Sequence, residues 1–270
     1  MQHAIDERGE DLHHVRPLST GAKQVCVRPV GDRFGQLRFF DLNAHKIEHC
    51  TTLEPMGTPI AQPVTGLLLA AGQGSRMGVP KAVLEIGSRT LTEMAVEALL
   101  DGGCADVLVV LGADAQRVRT RMETNAAIWG DRVDTTECAN WSGGMSKSLR
   151  TGLATLAARG RRCPQATLIH LVDLPDVGAE VVSRILQHGR AEGRLAQALV
   201  RPTYQGVAGH PTLLGQSHWQ GVMDSACGDQ GAGPYVRSRE AAMLACDDLA
   251  LGRDVDTPTE LSAYLDQRKG

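Results

Sequence analysis

Residues 65–81 read Thr-Gly-Leu-Leu-Leu-Ala-Ala-Gly-Gln-Gly-Ser-Arg-Met-Gly-Val-Pro-Lys, and these types in this order suit a polyphosphate. Gly72, Gly74 and Gly78 let backbone N–H groups approach an anion with no Cβ in the way. Arg76 and Lys81 add the positive charge. The spacing G-x-G-x-x-x-G differs from the G-x-G-x-x-G of dinucleotide-binding loops. Pro80-Lys81-Ala82 also lacks the Ser or Thr that closes a Walker-type loop. Two common nucleotide folds are thereby disfavoured. The plainer alternative is a tight turn carrying two solvated cations.

Three further places carry chemistry. Asp173, in Leu171-Val-Asp-Leu-Pro-Asp176, ends an apolar run, where a carboxylate is costly unless it meets water, a cap or a metal. Magnesium, which takes one or two carboxylates plus substrate phosphates, fits such a position. Asp176 reads instead as the cap of the following helix. Asp256 is a second candidate carboxylate because Thr257 can do the capping beside it, although Asp254 competes for that role. Two such aspartates could share one Mg²⁺ and align an in-line attack on a phosphate. In Trp141-Ser-Gly-Gly-Met-Ser-Lys-Ser-Leu149, glycines precede a helix and leave its first N–H groups free, while Ser146 and Ser148 offer hydroxyls. An ordinary glycine and serine entry to a helix is the competing reading.

The elements that must position these residues alternate. An apolar run at 67–71 leads into the glycine loop, a helix is expected over 91–100, and a strand buried on both faces over 107–111. Asp114 can cap a helix running to about 124, a short strand fits 132–136, and 146–158 is helical. A third clear strand covers 167–172, followed by a helix over 179–192. Strands separated by helices predict a parallel sheet with helices on both faces, and ligands of such sheets bind beyond the strands' carboxyl ends. The last third is less regular. Strands are expected over 198–204 and 207–214, helices over 216–226 and 233–239, and a short strand over 243–246. Thr257-Pro-Thr-Glu260 has the form of a capping box opening a final helix.

Composition bounds the rest. The 270 residues are 42% hydrophobic, enough for one large core with an extension. All three phenylalanines and five of nine histidines fall in residues 1–63, which predicts a boundary near Pro63, an N-terminal extension 1–63 and one domain, 64–270. Segments 25–30 and 37–40 could pair as a hairpin. The other reading of the extension is poor order, or a start-site artefact with Met56 as the true start. A net charge of −3 gives no nucleic-acid footprint. Seven scattered cysteines with no C-x-x-C suit reduced thiols better than disulfides or a zinc site. With no signal peptide and no apolar run near the roughly 18 residues a membrane helix needs, the expectation is a soluble cytoplasmic protein with no membrane partner.

As a set, the motifs resemble the MobA-like nucleotidyltransferases, and within them the molybdenum cofactor cytidylyltransferases. The resemblance rests on 69–81, on Trp141 to Leu149, on Asp173-Leu-Pro175, Gly209-His-Pro211, Gly228-Asp-Gln-Gly231 and Asp256-Thr-Pro258, in that order along the chain. It implies a Rossmann-like three-layer α/β/α sandwich, mostly parallel and similar to nucleotide-diphospho-sugar transferases. It also implies transfer of CMP from CTP to the phosphate of molybdopterin, with Mg²⁺ as cofactor and pyrophosphate as product.

Residue by residue, the resemblance makes Lys81, Arg76 and Asp173 catalytic and gives the metal to Asp173 and Asp256. Leu69, Ala70, Ala71, Gly72, Gly74 and Ser75 would line the triphosphate, Ser146 and Ser148 the nucleotide, and His210 and Asp229 the pterin side. His210 has a structural hydrogen-bonding role as its alternative. Implied partners are CTP or GTP, molybdopterin, and a molybdenum hydroxylase apoenzyme or its chaperone. Ala71 resembles the cytidylyl branch, where the guanylyl branch has glycine. Lys147 and the doubled Gly143-Gly144 depart from the family pattern. A guanylyltransferase, a transferase for a sugar phosphate or phosphoenolpyruvate, and a non-catalytic nucleotide-binding partner of a molybdenum enzyme stay open as alternatives.

Overall fold

The main unit has a short two-stranded hairpin, Glu85–Ile86 with Arg89–Thr90, and a large sheet of eight strands: Val64–Ala70 (β1), Asp106–Leu111 (β2), Val133–Glu137 (β3), Ala166–Leu171 (β4), Leu199–Tyr204 (β5), Val207–Ala208 (β6), Thr212–Gly215 (β7) and Ala242–Ala245 (β8). Its longer helices are Leu91–Asp101 (α1), Ala115–Glu123 (α2), Met145–Ala157 (α3), Ala179–Ala191 (α4), Trp219–Ser225 (α5), Gly233–Arg237 (α6) and Pro258–Gln267 (α7). This computed structural model describes residues 63–267 and, ahead of them, the backbone of three short strands. The chain divides into two compact units, Met1–Ile60 and Ala61–Gly270.

The strands form one mixed sheet in the order β6-β5-β7-β4-β1-β2-β3, with β8 added alongside β5. Strand β1 is parallel to both β2 and β4, β2 is parallel to β3, and β5 to β8. Antiparallel pairing is confined to the β4-β7-β5-β6 side. The central strands are mostly apolar because both faces are covered. Leu68, Val109 and Leu168 pack with α1, α2 and α4. Leu67, Leu108 and Ile169 pack with α3 and α5. The result is the three-layer, mostly parallel sandwich expected from the strand and helix alternation.

Two local expectations need correction. Asp114 stands at the start of α2 with φ 56°, and its side chain makes no capping bond; it pairs with Arg117 at 3.7 Å instead. A left-handed residue there turns the chain from β2 into the helix without a side-chain cap. The expected strand over 207–214 is split into β6 and β7 by Gly209-His210-Pro211, whose His210–Pro211 bond is cis. The capping box at the last helix is present: Thr257 Oγ1 accepts from Glu260 N at 3.3 Å, and Glu260 accepts from Thr257 N at 2.8 Å.

In the N-terminal unit, Gln24–Cys26, Arg38–Asp41 and Lys46–Glu48 form an antiparallel sheet with Val25 opposite Phe39. The two segments expected to pair do so there. The expectation of poor order or a start-site artefact falls outside the described residues. Cys104, Cys138, Cys163, Cys227 and Cys246 are free thiols, and among the described residues no helix is long and apolar enough to cross a membrane.

Helix α1 carries its own capping box, with Thr90 accepting from Glu93 N and the buried Glu93 carboxylate accepting from Thr90 N at 2.6 Å. Thr90→Ala should lower unfolding stability by about 1 kcal/mol, seen as a shifted urea midpoint at constant slope.

Candidate active site

The loop after β1 is shaped by Gly74. Its φ is +65°, its carbonyl accepts from Met77 N at 3.0 Å and Gly78 N at 2.9 Å, and a Cβ there would lie 2.0 Å from Val79 O. Only glycine fits such a turn. Gly72, Ser75 and Arg76 are exposed on it. Leu69 and Ala70 are core residues of the sheet, and Ala71 is buried where the chain leaves it. A Cβ on Gly112 would come within 2.7 Å of both Ala71 Cβ and Trp141 Cβ, so β1, β2 and the 141–149 segment meet at that point. Past Pro80 a single 3₁₀ turn, Lys81–Val83, buries Ala82 and Val83 and is held by Thr92 Oγ1 donating to Ala82 O at 2.7 Å. That anchorage turns Lys81 inward.

Lys81 Nζ donates to Asp173 Oδ2 at 2.7 Å and also to Asp256 Oδ1. Arg76 reaches the other oxygen of Asp256 at 2.6 Å. The side chains of Lys81, Asp173 and Asp256 are 14%, 21% and 13% exposed, so they form a partly desolvated ion cluster at the carboxyl end of the sheet. Burial pulls the Lys81 pKa down, but the two carboxylates outweigh it and hold it above its ordinary value. Asp254, the sequence's competing carboxylate, makes no contact with this cluster; Asp256 does.

Asp256 arrives by a chain of long-range bonds. Asp176 does not cap α4, contrary to expectation. Its Oδ2 accepts from Leu251 N and Gly252 N, both at 2.9 Å, and so fixes the returning chain. Val255 N then donates to the backbone carbonyl of Asp173 at 2.9 Å, and Asp256 N donates to Glu260 of the capping box. Tyr264 on α7 donates to Pro175 O at 3.0 Å. These contacts bring together Lys81, Asp173 and Asp256, which stand 92 and 175 positions apart from the lysine.

The cluster can hold a divalent ion. Asp173 Oδ1 is buried and has no hydrogen-bond partner, beside a second carboxylate. A hard cation with oxygen ligands answers such an orphaned oxygen. Among the described residues no group of three or more His, Cys, Asp or Glu side chains could hold a metal alone. The remaining oxygens must then come from a phosphate ligand or from water.

A second assembly joins motifs that the sequence reading treated apart. Helix α3 lacks a capping residue of its own, since Gly144 (φ +97°) precedes it. Asp229 Oδ1 accepts from Met145 N at 3.2 Å and Gly228 O accepts from Ser146 N at 2.8 Å, so the 228–231 loop caps the helix from outside. A Cβ on Gly144 would sit 2.7 Å from the Gly228 carbonyl. The doubled glycine is thus what lets this loop dock. Ser146 and Ser148 are 1% and 5% exposed, so the segment turns these hydroxyls inward, while Ser142 is exposed and Trp141 and Lys147 are half-buried, Trp141 against the core.

His210 lies on the loop between β6 and β7. Its Nδ1 is 3.4 Å from Ile169 O, and its carbonyl accepts from Tyr204 at 2.8 Å. These are structural bonds, and burial with the nearby Arg201 pushes its pKa down to about 4. His170 on β4 escaped the sequence reading because it hides inside an apolar run. It is fully buried, neither ring nitrogen has a partner, and burial together with His210 lowers its pKa to about 3.

Residues 66–243 match the family described as the MobA-like NTP transferase domain. Nicotine blue oxidoreductase of Paenarthrobacter nicotinovorans is 35% identical over 208 residues, 75% of this chain and 96% of that protein. Among solved structures, Rv0371c of Mycobacterium tuberculosis H37Rv aligns with TM-score 0.60 and 27% identity, covering 76% of this chain and 98% of that one. The same protein has been solved in complex with manganese, with TM-score 0.58 and 26% identity over 76% and 98% of the two chains. The 4-diphosphocytidyl-2C-methyl-D-erythritol synthase of Anaerococcus prevotii shares the fold, with TM-score 0.59 at 11% identity over 78% of this chain and 97% of that one.

Neutral burial of His170 has a consequence for stability. Its folded pKa lies below the unfolded value, so the unfolded chain binds the extra proton. The stability it contributes is full above about pH 6.5 and is lost as pH falls towards the folded value, with a slope approaching about 1.4 kcal/mol per pH unit. Urea unfolding of His170→Leu between pH 7 and 4 should show a shallower decline than the parent; an equal slope would remove this assignment.

Proposed function

Because the chain belongs to the MobA-like NTP transferase family, we propose that this nucleotidyltransferase moves CMP from CTP to the phosphate of molybdopterin, releasing pyrophosphate. The convergence of Lys81 and Arg76 on Asp173 and Asp256 at the carboxyl end of the sheet carries the reading. The activity is assigned to residues 64–270, with 1–63 as an extension, and to the cytoplasm.

The chemistry follows from charge. The acceptor is a phosphomonoester, whose second pKa is about 6, so its attacking oxygen is already an anion at neutral pH and needs no general base. That agrees with histidines held neutral near the site. An acceptor oxygen forms a bond to the α-phosphorus of CTP as the bond from that phosphorus to the β-bridging oxygen breaks, and pyrophosphate leaves with the electron pair. What the protein must supply is alignment and positive charge. The backbone around Gly72 and Gly74, with Ser75 and Arg76, holds the triphosphate. Lys81 moves its charge onto the α-phosphate as negative charge builds there. Asp173 and Asp256 would hold Mg²⁺, which when bound neutralises phosphate oxygens that would otherwise repel the incoming anion. Asp229 frames the pterin side through its hold on α3, and the product passes to a molybdenum hydroxylase or its chaperone.

The identity with nicotine blue oxidoreductase over nearly all of that protein favours one other reading, a reductase acting on a pigment of that kind. That reading needs a redox cofactor to supply the electrons, whereas the ion cluster described above suits phosphate.

With Mg²⁺ and molybdopterin, pyrophosphate should be released from CTP faster than from GTP or UTP; faster release from GTP would move the reading to guanylyl transfer. Asp173→Asn should reduce turnover at least about a hundredfold, the scale of losing one electrostatic group from a transition state. Oxidation of NADH by nicotine blue, with no pyrophosphate from any nucleotide, would replace the transfer reading by the reductase.

A further inference from the structure

Tyr204 ends β5, is 5% exposed and has no part in the chemistry above. One edge of its ring, Cδ2 and Cε2, lies against two glycines far apart in the sequence. A Cβ on Gly209 would stand 2.5 Å from Cε2 and 2.7 Å from Cδ2, and a Cβ on Gly252 would stand 2.0 Å from Cδ2 and 2.4 Å from Cε2. No side chain fits at such distances, so both positions must be glycine for the ring to lie where it does. The phenol also donates to His210 O at 2.8 Å, which gives the buried hydroxyl its partner.

Both segments that touch the ring also reach the turn that bears Asp173. Thr212 stands opposite Ile169 in the pairing of β7 with β4, and His210 Nδ1 is 3.4 Å from Ile169 O. Residues 209–211 therefore run beside the end of β4, from which Asp173 follows. On the other segment, Gly252 N donates to Asp176 Oδ2 and Val255 N donates to Asp173 O, both at 2.9 Å. The ring, residues 209–211, the end of β4 and residues 252–255 thus form a closed circuit of contacts. Tyr204 is the link that closes it.

Two carboxylates that share a small hard cation must keep a fixed separation, because its coordination geometry is strict. Asp173 follows a paired strand, whereas Asp256 lies between β8 and α7, where the chain has no helix or strand of its own. Its place depends on contacts made by the residues before it. We propose that Tyr204 is a positioning residue for the metal pair: its ring braces Gly252 and so fixes Asp256 relative to Asp173. The proposal rests on the metal that the transfer reading gives to these two aspartates, and on neither the nucleotide nor the acceptor. Groups that hold ligating carboxylates in place are worth about tenfold or more in metal affinity.

Mn²⁺ alone is the probe, titrated into the full chain and followed by loss of the free-ion EPR signal. Tyr204→Leu keeps apolar volume but removes the ring edge, and should weaken Mn²⁺ binding about tenfold. Tyr204→Phe keeps the edge and loses only the hydroxyl, and should bind Mn²⁺ as the parent does. Gly252→Ala, whose added Cβ meets the ring, should weaken binding as well, and it carries the test if Tyr204→Leu does not fold. In metal-free protein, hydrogen exchange across residues 249–256 should rise in the Leu and Ala variants and not in Tyr204→Phe. A ring that served stability alone would lower the urea midpoint and leave the Mn²⁺ affinity of the folded chain unchanged. That result, or no Mn²⁺ binding by the parent, would overturn the proposal. Pyrophosphate release from CTP is measured separately on the parent chain; its absence, with Mn²⁺ binding still sensitive to the ring, would remove the transfer reading and leave the role of Tyr204 standing.

Discussion

The site depends on one lysine held between two carboxylates. Lys81, Asp173 and Asp256 come from three separate parts of the chain and meet where little water reaches them. Removing one partner from a fully buried pair costs about 3–5 kcal/mol, because the other charge is left uncompensated. These groups are 13–21% exposed, so the penalty here is smaller, yet the logic holds. Without Lys81 the two aspartates would repel each other across the same few ångströms. The cluster is thus a charge-balanced resting arrangement of the groups that a polyphosphate with its metal would engage.

Around it, the structure spends its polar groups on bringing the chain's end back to the sheet. Asp176 illustrates this best. A carboxylate that could have capped the next helix instead accepts two N–H groups from residues 75 and 76 positions downstream. Its bonds, the Val255–Asp173 backbone contact and the capping box at Thr257 set the position of Asp256 from three directions. Asp256 is therefore rigidly supported although it lies between a loop and a helix.

Much of the glycine-loop half was legible in the sequence because its requirements are local. A turn such as that at Gly74 needs glycine whatever surrounds it, and a doubly buried strand must read as an apolar run. Strand ends also mark where ligands bind, which brought Asp173 into view. What escaped was decided at long range. Nothing near Asp229 says that it caps a helix 84 residues earlier, and nothing near Asp176 says which N–H groups it will find. The Gly143-Gly144 pair read as a departure from pattern and proved to be the landing place of another loop. Ser146 and Ser148 invited contact with a ligand by residue type, but their helix turns them into the core.

The two halves of the sheet differ in the same way. The parallel part, β1 to β4, repeats a strand and helix unit whose loops open on one side, so its chemistry clusters at one edge by construction. Beyond β4 the pairing of β7, β5 and β6 is antiparallel, with β8 alone added parallel to β5, and the loops there need not fall on that edge. There the geometry is set by particular contacts: Tyr204 bonded to the His210 carbonyl, Arg201 to Gly209, and the 228–231 loop to α3. Such a half can change its ligand by changing a few side chains while the glycine loop stays as it is. A chain 35% identical to a protein named for a redox reaction, on a fold shared with a cytidylyl-compound synthase, is what that division of labour allows.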